Sequence, residues 1–199
     1  PNYRKQQLNG LEGRLEAFLS CLLVNETLGE PVLADIQLND WGAVFTIAYV
    51  ALMTGNKAAF LRAVDAVDNE RQSRELRDAL RKAPFETAKP YALTIAHHKN
   101  PWVQVGVVWA VGHHFDAINP DWLRSRLDSE STAVRVAALN VVGDKGLSGH
   151  ANQVRAQLGH EEAAVRFQAA YSGNLLGIGE AYQALLPFCF ADNPYLRKA

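Results

Sequence analysis

LDSESTAVRVAALNVVGDKG (127–146), set beside WVQVGVVWAVG (102–112) and AVRFQAAYSGN (164–174), decides the fold, because all three run in one register. Val103, Val134, Val165 and Leu196 are each 31 residues apart, and Leu127, Leu158 and Cys189 keep the same step. A fixed period of this length, with two helical patterns per unit, is the signature of stacked helical hairpins. Such arrays present a long surface to other macromolecules, so binding rather than catalysis is the first expectation.

Working outward, the first helix of each unit is predicted over 101–113, 132–143 and 163–176, and the second over 120–127, 149–158 and 179–190. The connections are short and rich in Gly, Asn and Asp, and no segment alternates with period two for long enough to make a sheet. Before the array, Leu8, Leu11, Leu15, Phe18, Leu19 and Leu22 follow helical steps between Gln6 and Asn25, with Glu12, Arg14 and Glu16 on the other face. Pro31 suits the first turn of a short helix to Leu38. Asn39-Asp40 reads as the cap of an apolar helix, Trp41–Thr54. Gly55-Asn56 then turns the chain into Lys57–Val67, with Phe60, Leu61 and Val64 inward. Residues 69–83 read as a charged helix with a seam at Leu76 and Leu80, and Pro84 and Pro90 bracket an interruption before Tyr91–His97.

Composition narrows the function classes. Of the 199 residues 48% are apolar, enough for a sizeable core. Twenty basic residues against 21 acidic give a net charge of −1, which argues against non-specific nucleic-acid binding. Cys21 and Cys189 have no CxxC partner and read as buried thiols in a reducing compartment. No apolar run reaches the roughly 18 residues of a membrane span, and PNYRKQQLNG (1–10) is not followed by a signal-peptide core. A cytoplasmic, soluble protein is expected. Pro1 in place of an initiator Met reads as a mature or trimmed fragment.

The loop Asp, the Val-Arg pair and the spaced Ala, Leu and Gly of 127–146 resemble the HEAT repeat, over three units from 101 to 193 and more loosely over the hairpin at 41–67. Ala137, Ala138, Ala169 and Ala170 would let neighbouring helices approach closely while Val and Leu fill the layer. The resemblance places Arg135 and Arg166 at the family's arginine position, where the side chain bonds loop carbonyls or an Asp of the adjacent unit. Gln104 stands there in the first unit and weakens that ladder. GLEGRLEAFLSCLLVNETLGEPVL (10–33) with WGAVFTIAYVALMTGNKAAFLRAV (41–64) is also similar to an uncharacterised bacterial family with HEAT-like repeats. Some of its members are encoded near type VI secretion components, which implies a role in assembling or loading secreted proteins.

Two enzymatic relatives share the architecture. Deoxyhypusine hydroxylases hold two irons with His-Glu pairs directly after Val-Arg. Here those positions are Phe167-Gln168, Val136-Ala137 and Val105-Gly106, and none binds a metal. His160-Glu161 lies instead in a loop entering a helix, where Glu161 and Glu162 suit the positive helix end. The doublets His97-His98 and His113-His114, with Asp116, read as helix-end caps; a metal enzyme would need them to converge. Alkylpurine DNA glycosylases cradle DNA on a HEAT-like concave face. Trp102, Trp109 and Trp122, with Arg124, Arg126 and Arg155, would serve that, but Asp121, Asp128 and Glu130 dilute the charge and Trp109 reads as core. There is no GxSxG, Walker or dinucleotide-binding motif, and Gly173, Gly177 and Gly179 read as a turn.

The expected working surface is the concave side, lined by second helices. Its period-equivalent rows are Trp122, Gln153, Ala184; Arg124, Arg155, Leu186; and Arg126, Gln157, Phe188, with alternate members free to pack inward instead. Leu185, Leu186, Phe188 and Phe190 make an apolar end, suited to further repeats or to a second copy of the chain. The sequence thus predicts an all-α, right-handed α-solenoid of HEAT-like hairpins. Residues 1–98 form a less regular helical region, and 99–199 form three repeats and the start of a fourth, continuous with it. The expected function is a non-catalytic scaffold or adaptor without metal or cofactor, its protein partner held by Trp122, Arg124, Arg126, Gln153, Arg155 and Gln157. The alternatives are a nucleic-acid-binding array of the glycosylase type and a metal-dependent HEAT-repeat enzyme.

Overall fold

Every regular element among the described residues of the computed structural model is helical. The structure describes residues 13–14, 16–21, 23, 36–38, 40, 42–114 and 118–189. The chain divides into two compact units, residues 1–96 and 97–199.

In the first unit, residues 13–14, 16–21 and 23 are helical, and Leu19 is buried as its spacing requires. Phe18, one position off that line, is 56% exposed instead of facing a core. The reading of 31–35 lies outside the described residues, while 36–38 form a bend and a turn rather than a helix. Four helices follow: α1 (Ala43–Thr54), α2 (Lys57–Asp65), α3 (Glu70–Lys82) and α4 (Phe85–Ile95). Eight of the twelve residues of α1 are buried, Ala43, Val44 and Ile47 to Leu52, because α2, α3 and α4 all pack on it. Phe60 and Val64 of α2 and Leu76 and Leu80 of α3 are wholly buried, while Leu61 is only half-buried.

Two boundaries differ from the sequence reading. The apolar helix begins at Ala43 rather than Trp41, after Gly42 in the left-handed region at φ 76°, and without an Asx cap. Its free first-turn N–H at Val44 donates to Glu75 Oε2 at 3.1 Å, so α3 closes the end that a local side chain was expected to close. Arg71 Nη1 donates to Asp40 O (3.2 Å) and Gln72 Nε2 to Leu38 O (3.2 Å), which ties down the same approach. Pro90 does not interrupt the chain but sits inside α4. It removes one helical N–H, and the Thr94 hydroxyl occupies the Pro90 carbonyl at 2.8 Å.

The second unit keeps the period closely. α5 (Pro101–His114), α7 (Thr132–Asp144) and α9 (Ala163–Leu175) begin 31 residues apart. The shorter α6 (Pro120–Leu127) and α8 (Ala151–Gln157) do the same, with a 3-10 turn, Ser148–His150, before α8. α10 (Gly179–Cys189) starts at the position equivalent to that turn. α7 packs on α5 and α9 on α7, while α6 packs on α7 and α8 on α9, so each second helix also lies against the first helix of the following unit. Val103, Val134 and Val165 are all wholly buried, as are Leu123, Leu127, Leu139, Val142 and Val154. Ala137, Ala138, Ala169 and Ala170 are buried with them.

The first helices approach so closely that a side chain would not fit at the contact. A Cβ on Gly112 would lie 2.5 Å from Val141 Cγ2, and one on Gly143 would lie 2.8 Å from Ser172 Cα. Each glycine thus meets the residue 29 positions on, twice in succession. α7 and α9 also end alike. Gly146 (φ 63°) and Gly177 (φ 74°) turn the chain, and Leu147 N and Ile178 N donate back to Val142 O (3.0 Å) and Gly173 O (2.8 Å). Of the glycines read as one turn, Gly173 is therefore inside α9, Gly177 makes the turn and Gly179 opens α10.

Candidate functional site

The entry loop of each repeat is a small machine built twice over from local sequence. The side chains of His98, Ser129 and His160 accept the backbone N–H two residues on, from Asn100 (3.2 Å), Ser131 (3.2 Å) and Glu162 (3.0 Å). The carbonyls of the same three residues accept from the side chain six residues on. Gln104 Nε2 donates to His98 O at 2.8 Å, Arg135 Nη2 to Ser129 O at 2.6 Å, and Arg166 Nη1 to His160 O at 2.6 Å. Gln104 therefore makes the bond of its register with one donor, while Arg135 adds a second through Nε (3.1 Å) and Arg166 reaches Glu161 O as well (2.6 Å). Arg135 Nη1 also contacts His160 Nε2, across to the loop of the next unit.

The second helices carry the residues singled out for binding. Asn119 Oδ1 accepts from Trp122 N (2.9 Å), Pro120 fills the first helical position, and Leu123 and Leu127 turn inward. On a helix set that way, positions 122 and 126 share one side and 124 lies roughly opposite. Arg126 is accordingly buried (9% exposed), its guanidinium 5.2 Å above the Trp122 ring and its Nη1 on Ser125 Oγ (2.9 Å). Burial pushes its pKa down from the ordinary guanidinium value. The equivalent Gln157 is half-buried, and Phe188 packs edge-on against Phe167 at 5.3 Å. The row 126, 157, 188 thus faces the first helices and is not an outer surface. Trp122 and Gln153 are half-buried.

Arg124 and Arg155 are the outward members, their side chains 54% and 47% exposed. Each is steadied by the residue three positions earlier: Asp121 Oδ1 lies 3.7 Å from Arg124, and Arg155 Nη1 donates to Asn152 Oδ1 at 3.2 Å. Gln153 joins the two helices. With its amide turned to satisfy both neighbours, Nε2 donates to His150 O (3.2 Å) and Oε1 accepts from Arg124 Nε (3.3 Å). Arg155 Nε also lies 3.4 Å from Glu180 Oε1 on α10. Exposed pairs of this kind hold the fold by only about 0–1 kcal/mol each, so an incoming carboxylate can displace Asp121 or Glu180 at little cost. Beneath Arg124, His150 is buried, and desolvation, then the charge of Arg124, pushes its imidazole pKa down.

The remaining candidates separate. His97 and His113 are exposed, and His113 and His114 stack edge-on at 5.0 Å. Asp116 lies outside the described residues. Among the described residues no group of three or more His, Cys, Asp or Glu side chains is placed to hold a metal ion. His98 is a loop-closing acceptor rather than a helix-end cap, and His160 lies in the loop entering α9, as its sequence suggests, and closes it in the same way. Trp109 is half-buried against the core of the array. Cys21 is exposed, because it lies on the outer side of its helical segment, and the Cys189 side chain is outside the description. At the apolar end Leu185 and Leu186 are half-buried, Tyr182 is 55% exposed, and Phe190 is not described. Among the described residues no helix is long and apolar enough to cross a membrane.

Sequence reasoning missed one feature of the first unit. An open groove of about 630 Å³ runs over the start of α1 beside α3, lined by Gly42, Phe45, Glu70, Arg71, Arg74, Glu75 and Asp78. Its charges answer one another, Arg74 to Glu70 at 2.5 Å and Arg71 to Glu75 at 3.2 Å. Nothing in the local pattern of either segment signals the groove, since its walls lie some thirty residues apart in sequence. No family model, curated protein or solved structure matches the chain.

Proposed function

We propose that this chain is a HEAT-like repeat protein, its array a right-handed solenoid, that binds another protein on the face formed by its second helices and catalyses nothing itself. The observation that supports this most is the pairing of Arg124 and Arg155. They occupy equivalent positions on successive second helices, stand out of the surface, and are pre-set by Asp121 and Asn152. Tyr182 of α10 adds an exposed aromatic further on, while Trp122 is half-buried on the other side of α6 from Arg124. Acidic neighbours at both arginines favour a protein partner, which can exchange single carboxylates, over a polyphosphate backbone, which needs a continuous positive track. The resemblance to a bacterial family found near secretion components adds the expectation that the partner belongs to an assembling machine in the cytoplasm.

The test is affinity capture from the source cell with the wild-type chain and with Arg124→Glu/Arg155→Glu. A stoichiometric protein partner, lost in the double variant while its melting temperature is unchanged, supports the reading. Capture of nucleic acid, or of the same partner by both chains, overturns it.

A further inference from the structure

Glu180 shows how the array holds a carboxylate. Its Oε1 lies 3.4 Å from Arg155 Nε, across from α8 to the start of α10. One repeat earlier Arg124 stands where Arg155 does, and the position of Glu180 is taken by Gly149. Gly149 is exposed, its φ lies outside the left-handed region, and a Cβ built on it meets nothing within 4 Å. The space beside Arg124 that corresponds to the Glu180 side chain at Arg155 is therefore open. A neutral group steadies Arg124 instead: Gln153 Oε1, its amide turned as above, accepts from Nε at 3.3 Å. Ala184 stands at the Gln153 position one repeat on, where the carboxylate of Glu180 lies at Nε. Among the described residues the one carboxylate near Arg124 is Asp121, whose Oδ1 is 3.7 Å from Nη1, beyond hydrogen-bond reach. Arg124 is thus held in place without a carboxylate bonded to it.

We propose that Arg124, over the open backbone at Gly149, is the receptor for an acidic side chain of the partner, which takes at this repeat the place that Glu180 takes at the next. The proposal rests on the reading that a protein docks on the second-helix face, and it names what that protein presents there. A guanidinium receives a carboxylate through two parallel N–H···O bonds. Arg124 keeps Nε on Gln153, and its two terminal nitrogens receive the incoming carboxylate end-on. The exposed Asp121 and Glu180 each hold negative charge at one of the two arginines, which disfavours a polyphosphate chain on the same face.

The test lets the chain occupy its own receptor, since Gly149→Glu should set on Arg124 the carboxylate that Glu180 sets on Arg155. The probe is a fluorescein-labelled hexaglutamate peptide, its binding to the full chain read by anisotropy at low salt. Gly149→Glu should weaken binding about fivefold, and Glu180→Ala should tighten it about threefold by releasing Arg155. Two controls separate the receptor from bulk and from net charge. Gly149→Gln has the same size without charge, and Ser148→Glu adds the same charge one residue away; both should bind within about twofold of wild type. All four substitutions are at exposed positions, and their melting temperatures should stay within about 2 °C of wild type. Equal losses in Gly149→Glu and either control overturn the proposal, as does a wild-type chain that does not bind hexaglutamate. In affinity capture from the source cell, a partner lost by Arg124→Glu/Arg155→Glu but kept by Gly149→Glu overturns the acidic receptor and leaves the docking face standing.

Discussion

The two units solve the same problem in different ways. Each must hold the chain where it enters its helices. In the second unit the loops leading into α5, α7 and α9 are closed from nearby: a side chain accepts the N–H two residues on, and the side chain six residues on donates to the carbonyl of that same residue, at the same two offsets in all three loops. In the first unit the start of α1 is closed by Glu75, 31 residues further along, with Arg71 and Gln72 of the same helix holding the approach. Local closure can be copied, since a unit carries its own parts. Closure from a distance needs one particular partner helix and gives a unit that does not repeat. In the first unit the distant closure is confined to α1, since Asn56 caps α2 through Ala59 N and Asn69 caps α3 through Gln72 N.

The comparison can be broken most forcefully at the close contact of the array. Gly143→Val must displace the Ser172 backbone, so urea unfolding should show a loss of about 3 kcal/mol. A loss within experimental error would mean that α7 and α9 are not in contact as described. Next is the distant closure: Glu75→Ala leaves the Val44 N–H without its carboxylate, at a cost of about 2 kcal/mol, with faster amide exchange at Val44. Were exchange accelerated only on α3, the first unit would be closed locally after all. Arg135→Ala removes the clamp on Ser129 O and should cost about 1 kcal/mol, while Arg135→Gln, which copies the first repeat, should cost less than half of that. Equal losses would show that Gln104 is not an equivalent of the arginines.

The smallest effect is a pH dependence at His150. Burial and Arg124 lower its pKa in the folded chain, so the fold favours the neutral ring. Stability from this group is intact above the ordinary value of 6.5 and is lost as the pH falls through it. Ala181 occupies the equivalent position in the next repeat, so His150→Ala should flatten that part of the stability profile without unfolding the chain. An unchanged profile would remove His150 from the set of groups that sense acid.

What could be read from the sequence follows the same division. The helix starts at 101, 132 and 163 and the second helices at 120 and 179 were legible because apolar spacing, loop residues and glycines all agree locally, while the helix expected from 149 begins at Ala151 after a 3-10 turn. The start of α1 was not, since Asn39-Asp40 offers a local cap and only the fold places Glu75 on Val44. Pro90 misled for a related reason: α4 keeps its helix around the missing N–H because Ala88, Ala92 and Ile95 are buried in the first unit. On the site the error lay in the period. Three parallel rows through 122, 124 and 126 suit the alternation of a strand, whereas a helix sends 122 and 126 one way and 124 the other, so the alternate members pack inward. The buried Leu123 and Leu127 carried the signal that would have sorted them. Arg124 and Arg155 remain the outward pair, and Arg126 and Gln157 belong with the packing.

The most direct measurement follows from that sorting. A photoreactive amino acid placed singly at 124, 126, 155 or 157, or at the exposed Asp144 on the end of α7, would be irradiated in the source cell and the adducts identified. The expected result is one protein joined to positions 124 and 155, with none at 126, 157 or 144. Adducts at 144 but not at 124 and 155, or nucleic acid in place of protein, would contradict a protein partner docked on the second-helix face.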